Sequence, residues 1–142
     1  MDIFRLEVYT PQSLFFSDDV QAVLMTLVDG EIVILANHSH VSAPVVPCLL
    51  RIREKDGNWK NAFISEGILE VTNHKTVVMS DSAEWAEEID RDRAIKARDK
   101  ALETIGIGMP KNEVQYAKQS LKRAECRIKV SKMAKSDTIN ST

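Results

Sequence analysis

His38 and His40 stand two residues apart in His38-Ser39-His40, and imidazoles at that spacing recur in metal sites of small β-barrels. Such sites also need a carboxylate about four or five residues later, followed by a Gly. Pro44 and Val45 occupy those places here, and His74 is the one further histidine. No metal is therefore expected. The plain reading is a surface loop after a strand, with His38 hydrogen-bonding the backbone. A second constellation is Ile89-Asp90-Arg91-Asp92-Arg93-Ala94. An Asp at a helix start can accept from an amino group or a ribose hydroxyl, and an Arg one turn on can grip phosphate with its planar fork. Arg123 and Arg127 are spaced i, i+4 and share a face of a later helix, where they could add phosphate contacts. Capping plus surface ion pairs is the simpler explanation of the same residues.

No catalytic constellation accompanies them. The chain has no G-x-S-x-G, no P-loop and no G-x-G-x-x-G. Glu87 and Glu88 are adjacent and so diverge, which does not make an acid/base pair. Cys48 lies among apolar residues, a setting that raises a thiol's pKa and lowers its reactivity. The two cysteines, Cys48 and Cys126, form no framework and are expected to be reduced.

The elements that would position these residues fall into two parts that meet near residue 82. The 142 residues are 44% apolar and 28% charged, ordinary for a globular chain. No apolar stretch approaches the roughly 20 residues a membrane span needs, and the N-terminus does not read as a signal peptide. Strand patterns dominate the first part. Phe4, Leu6 and Val8 alternate with Arg5, Glu7 and Tyr9. Val20–Leu27, Glu31–Leu35, Leu49–Glu54, Trp59–Ser65, Ile68–Val71 and Thr76–Met79 follow, separated by turn residues such as Asp29-Gly30 and Asp56-Gly57-Asn58. Gly67 breaks the chain, and Trp85 falls at the junction, where it could report on movement between the parts. Asp90 then caps a helix whose Ala94, Ala97, Ala101 and Ile105 recur at helical spacing. Gly106 and Gly108-Met109-Pro110 stop it. A second helix over about 112–135 carries Val114, Ala117, Leu121, Ala124 and Ile128 at steps of three and four. The fold class is α+β, an N-terminal antiparallel β-sandwich over 1–85, a C-terminal antiparallel helical hairpin over 86–135 and a flexible tail over 136–142. An Ala-rich seam adds only a few kcal/mol, at about 0.8 kcal/mol per buried CH₂, so the hairpin is marginally held.

Charge is divided in the same way. Residues 1–82 carry a net charge of −5, and Lys111–Lys135 carries eight basic residues against Glu113 and Glu125. A basic segment on an acidic body points to an anionic partner, or to nothing more than a solvated helix face.

Four stretches carry a resemblance. They are Asp29-Gly30-Glu31-Ile32-Val33-Ile34-Leu35-Ala36-Asn37-His38, Thr10-Pro11 with Phe16-Ser17-Asp18-Asp19-Val20, Ser65-Glu66-Gly67-Ile68-Leu69-Glu70-Val71, and Ile89-Asp90 with Arg93-Ala94. With Tyr116-Ala117 opening the second helix, they resemble, in order and over essentially the whole chain, the epsilon subunits of F-type ATP synthases. The departures are Val33 where the family usually has Gly, Ala36 and His40 where Pro is common, Pro47-Cys48 for Pro-Gly, and Glu66-Gly67 for Gly-Gly. Val in place of Gly predicts altered geometry in the 30–40 loop, since Val adopts positive φ only at a cost.

The resemblance implies a sandwich of about ten strands that binds the γ subunit and rests on the ring of c subunits. Glu31 and His38 match the ring-facing loop. It also implies a non-catalytic rotor subunit that couples proton translocation to ATP synthesis and inhibits ATP hydrolysis when its hairpin extends along γ. In that state Lys122, Arg123, Arg127 and Lys129 would meet acidic segments of the catalytic β (and α) subunits. Some bacterial members bind ATP at the closed hairpin and others keep the Asp/Arg box without tight binding. The matching residues are Asp90 and Arg93, then Glu84, and more loosely Arg123 and Arg127. No cofactor is required, ATP entering only as a regulatory ligand. No nucleic-acid partner and no membrane insertion are implied. The expected location is peripheral, on the cytoplasmic side of a bacterial plasma membrane, since no transit residues are recognised. The reading set against this one is a stand-alone nucleotide-sensing or metal-binding β-domain with a helical lid, and behind it a generic interaction adaptor.

Overall fold

A computed structural model describes residues 2–140, with side chains through Met133. It divides into two compact units between Trp85 and Ala86.

The first unit contains nine strands: β1 (Phe4–Tyr9), β2 (Leu14–Leu27), β3 (Gly30–Ile34), β4 (Val41–Val45), β5 (Cys48–Glu54), β6 (Trp59–Ile64), β7 (Gly67–Val71), β8 (Thr76–Ser80) and β9 (Ala83–Trp85). It is the expected sandwich, and β2 serves both layers. The first half of β2 pairs with β1, Phe4 opposite Val20, and its second half pairs with β3 and β5. The order β1-β8-β7-β4 continues one layer and β5-β6-β9 the other. Alternation puts Leu6, Val8, Val20, Val23, Ile34, Leu50, Ile52, Ile64, Leu69 and Val78 between the layers, all fully buried.

Several local expectations are corrected. The pairings are antiparallel except β1 with β8, which run parallel with Leu6 opposite Thr76. β2 begins six residues earlier than the apolar run at Val20, because Phe15 and Phe16 find partners there. β4 was hidden by Pro44, which sits in the strand opposite Ile68. β9 is also new. Trp85 belongs to it, stacked on Phe15 at 4.4 Å and edge-on to Phe16 at 6.0 Å, so it is anchored within the sandwich. Val33 introduces no unusual loop geometry. It lies in β3 opposite Leu24, and the positive φ values in this segment fall at Gly30 (φ 129) and Asn37 (φ 65).

The second unit opens with a 3₁₀ turn over Ala86–Glu88, followed by α1 (Arg91–Gly106) and α2 (Lys111–Asn140). The Asp90 side chain accepts from the backbone N–H of Arg93 at 3.1 Å, as a cap should. Pro110 O accepts from the N–H groups of Glu113 and Val114 at the start of α2. The seam differs from expectation on α1. Ala97 is exposed, and half-buried Arg98 takes its place in a stripe with buried Ala94 and Ala101. On α2 the three-and-four spacing continues one step further, from buried Ala117 and Ala124 to buried Ser131. α2 is drawn five residues past its expected end, through part of the stretch read as a tail; residues 141 and 142 lie outside the described residues.

Candidate functional site

Three groups of residues stand out, two in the sandwich and one in the hairpin. The first is the segment carrying Glu31 and His38. β3 is joined only to β2 among the described residues; Glu31 and Val33 alternate outward along it and Leu35 follows its end, all exposed. His38 follows in the next loop, its N–H donating to Leu35 O and its Nδ1 within 2.8 Å of Ser39 O. His40 Nε2 lies 2.9 Å from Asn73 Oδ1. No group of three or more His, Cys, Asp or Glu among the described residues is placed to hold a metal.

The second group was not legible from periodicity. Strand register lines up Leu14 with Tyr9, Tyr9 with Met79, Met79 with Ile68, and Ile68 with Pro44. At about 4.8 Å between strands, the row crosses five strands in about 19 Å. All five side chains are exposed, Met79 and Ile68 at 46% each. The neighbouring row on the same face is mostly polar: Ser17, Glu7, Val77, Glu70 and Ser42. Its charged members have partners, Ser42 Oγ donating to Glu70 within the row at 2.6 Å and Lys75 Nζ, just before β8, pairing with Glu7 at 2.9 Å. Lys75 holds the Glu7 carboxyl below its usual pKa. An apolar stripe with a polar rim is the composition of a protein interface. The signal available in the sequence was one apolar residue per strand on the solvent face, which only the pairing register turns into a row.

The third group is at the hairpin. Arg91 Nε donates to Ser131 Oγ at 2.9 Å, which fixes the register of α1 against α2. With Arg91 level with Ser131, Arg127 stands within about 3 Å of Arg93 along the axis, at 1.5 Å per residue. Each residue turns the helix about 100°. Arg93 is one step before Ala94, and Arg123 and Arg127 are one before and three after Ala124, positions that share one flank of an antiparallel pair. The fold thus brings Arg93, Arg123 and Arg127 to one flank. Along that flank, nearer the turn, runs a groove of about 680 Å³ lined by Ala97, Lys100, Ala101, Tyr116, Ala117 and Ser120 among others. Lys122 and Lys129 are exposed on the other flank, so the four cations read together as β-subunit contacts split into two pairs. The cleft at Asp90, about 500 Å³, carries Glu87, Asp90 and Asp92 beside Arg91 and Ser131 and suits an anion less well. Glu84 is in the other unit, in β9 opposite Phe63. Cys48 is buried and its thiol is pushed up to about 11 by that burial, in keeping with an inert structural thiol.

Comparison with known proteins adds four findings. Residues 3–86 match the family model described as ATP synthase, Delta/Epsilon chain, beta-sandwich domain. The ATP synthase epsilon chain of Caldicellulosiruptor bescii is 40% identical over 134 residues, 94% of this chain and 97% of that one. That of Caldicellulosiruptor saccharolyticus is 40% identical over 127 residues, 89% and 92% of the two chains. Among solved structures, a chain in the cryo-EM structure of Euglena gracilis mitochondrial ATP synthase, OSCP/F1/c-ring, superposes with a TM-score of 0.78 at 21% identity, covering 87% of this chain and 78% of that one. At that identity the likeness speaks to the fold.

Proposed function

The chain belongs to the ATP synthase delta/epsilon chain family, and on that premise we propose that it is a non-catalytic central-stalk subunit that binds γ through its sandwich. The observation that carries this reading is the exposed apolar row from Leu14 to Pro44 with its polar rim. Five apolar side chains in line on rigid strands suit a permanent protein partner better than water. The β3 edge and the loop after it, with Glu31 and His38, are the surface offered to the c-ring. Through these two contacts the subunit couples proton translocation to ATP synthesis. Among the described residues no helix is long and apolar enough to cross a membrane. The proposed location is peripheral, on the cytoplasmic side of a bacterial plasma membrane, where protein contacts hold the subunit.

The hairpin is the regulatory part. Its seam of Ala94, Ala101, Ala117 and Ala124 buries little apolar area, so closed and extended forms differ by little free energy. In the extended form the two cationic flanks of α2 attract acidic segments of the catalytic subunits. Reconstituting the complex with a chain ending at Glu88 tests this. ATP hydrolysis is expected to rise several-fold relative to the full chain, and equal rates would reject inhibition by the hairpin.

ATP is proposed as a regulatory ligand of the closed form, with its phosphates on the flank of Arg93, Arg123 and Arg127 and Asp90 at the helix start. Asp90→Ala removes the cap, about 1 kcal/mol of α1 stability, and is expected to weaken ATP binding in calorimetry. Unchanged affinity in that variant, or no heat from the full chain at millimolar ATP, rejects the site.

A further inference from the structure

We infer that Arg91 and Ser131 form a clasp that holds the first turn of α1 against α2 and so positions Asp90 and Arg93. Ser131 occupies the seam place one heptad after Ala124, where it is 7% exposed. Its hydroxyl is doubly used: it accepts from Arg91 Nε at 2.9 Å and donates to Ile128 O at 2.7 Å. The residues it joins are 40 apart in sequence and at the end of the hairpin remote from its turn. Apart from Val130, fully buried beside it on α2, the other buried positions of α1 and α2 among the described residues are Ala94, Ala101, Ala117 and Ala124, which confer no directionality and little area. A charge-assisted bond between a guanidinium and a buried hydroxyl is stronger than a neutral one and has a fixed geometry. In so lean a seam it sets both the register and much of the resistance to opening. Arg91 lies between Asp90 and Arg93, so releasing it frees the turn that carries both.

The consequence for nucleotide binding rests on the proposal above, but the clasp itself is tested on the isolated full chain, by hydrogen exchange in a double-mutant cycle. Ser131→Ala and Arg91→Met are each expected to raise exchange of the Ala94–Ala101 amides about tenfold. The double variant is expected to exceed the larger single effect by no more than about twofold. Exchange in the sandwich, at Leu50 and Ile52, stays as in the parent chain. Unchanged α1 exchange in Ser131→Ala overturns the clasp, as do single effects that multiply in the double variant, or a rise that extends equally to Leu50 and Ile52. None of these outcomes bears on γ binding or on hydrolysis by the complex, so the clasp and the proposed function can fail separately.

Discussion

Met79→Glu is expected to weaken binding to γ by at least about 100-fold while leaving the sandwich folded. Met79 sits at the middle of the apolar row, between Tyr9 on β1 and Ile68 on β7. It is 46% exposed, so a carboxylate there is solvated in the free chain and costs little stability. In a complex the same carboxylate would be buried among apolar groups without a partner, and leaving a charge so placed costs several kcal/mol. The effect should be local. Glu70→Gln, in the polar rim, is expected to change binding by less than about tenfold. Titration of labelled γ with each variant gives the comparison directly, and equal affinities for Met79→Glu and the parent would remove the row from the interface.

Gly67→Ala is expected to cost more than about 3 kcal/mol of stability, a large share of what a domain this size possesses. A Cβ at Gly67 would stand 1.8 Å from the Met79 carbonyl oxygen and 2.8 Å from Ser80 Cα. Both are backbone atoms of the paired strand β8, so no rotamer change relieves the overlap and β7 must part from β8. The sequence reading took Gly67 for a chain breaker; it is a point of close approach between two strands. Gly106→Ala is the matched control. Nothing lies within 4 Å of its Cβ position and it ends a helix, so a gain of up to about 1 kcal/mol is expected. Urea midpoints at unchanged slope measure both. A midpoint for Gly67→Ala within error of the parent would contradict the strand packing described.

What could be read in the sequence was what short-range physics controls. Alternation from Leu49 to Glu54 gave β5, since that strand buries one side only. Asp90 announced its helix because the cap is a bond to a residue three places on. The α2 stripe was legible from its own spacing. What escaped depended on distant partners. No strand was read over 41–45, where Pro44 lacks the N–H that a ladder uses, yet β4 forms opposite β7. Ala97 looked a better seam residue than Arg98, but the rotation of α1 follows from where α2 lies and from the bond between Arg91 and Ser131. The apolar row takes one residue from each of five strands, and its existence is a matter of register, which no single strand encodes. The candidate hairpin site was half legible. Spacing placed Arg123 and Arg127 on one face, and only the packing of α1 on α2 put Arg93 on the same flank.

The central claim is that this chain is a rotor subunit whose sandwich holds γ. Its most direct test is to co-express the full chain with the γ subunit from the same source and pass the product through a sizing column at low and at moderate salt. The account predicts a one-to-one complex that survives both, because an apolar contact is not screened by ions. Clean separation of the two chains under both conditions would contradict it and would favour the stand-alone nucleotide-sensing reading.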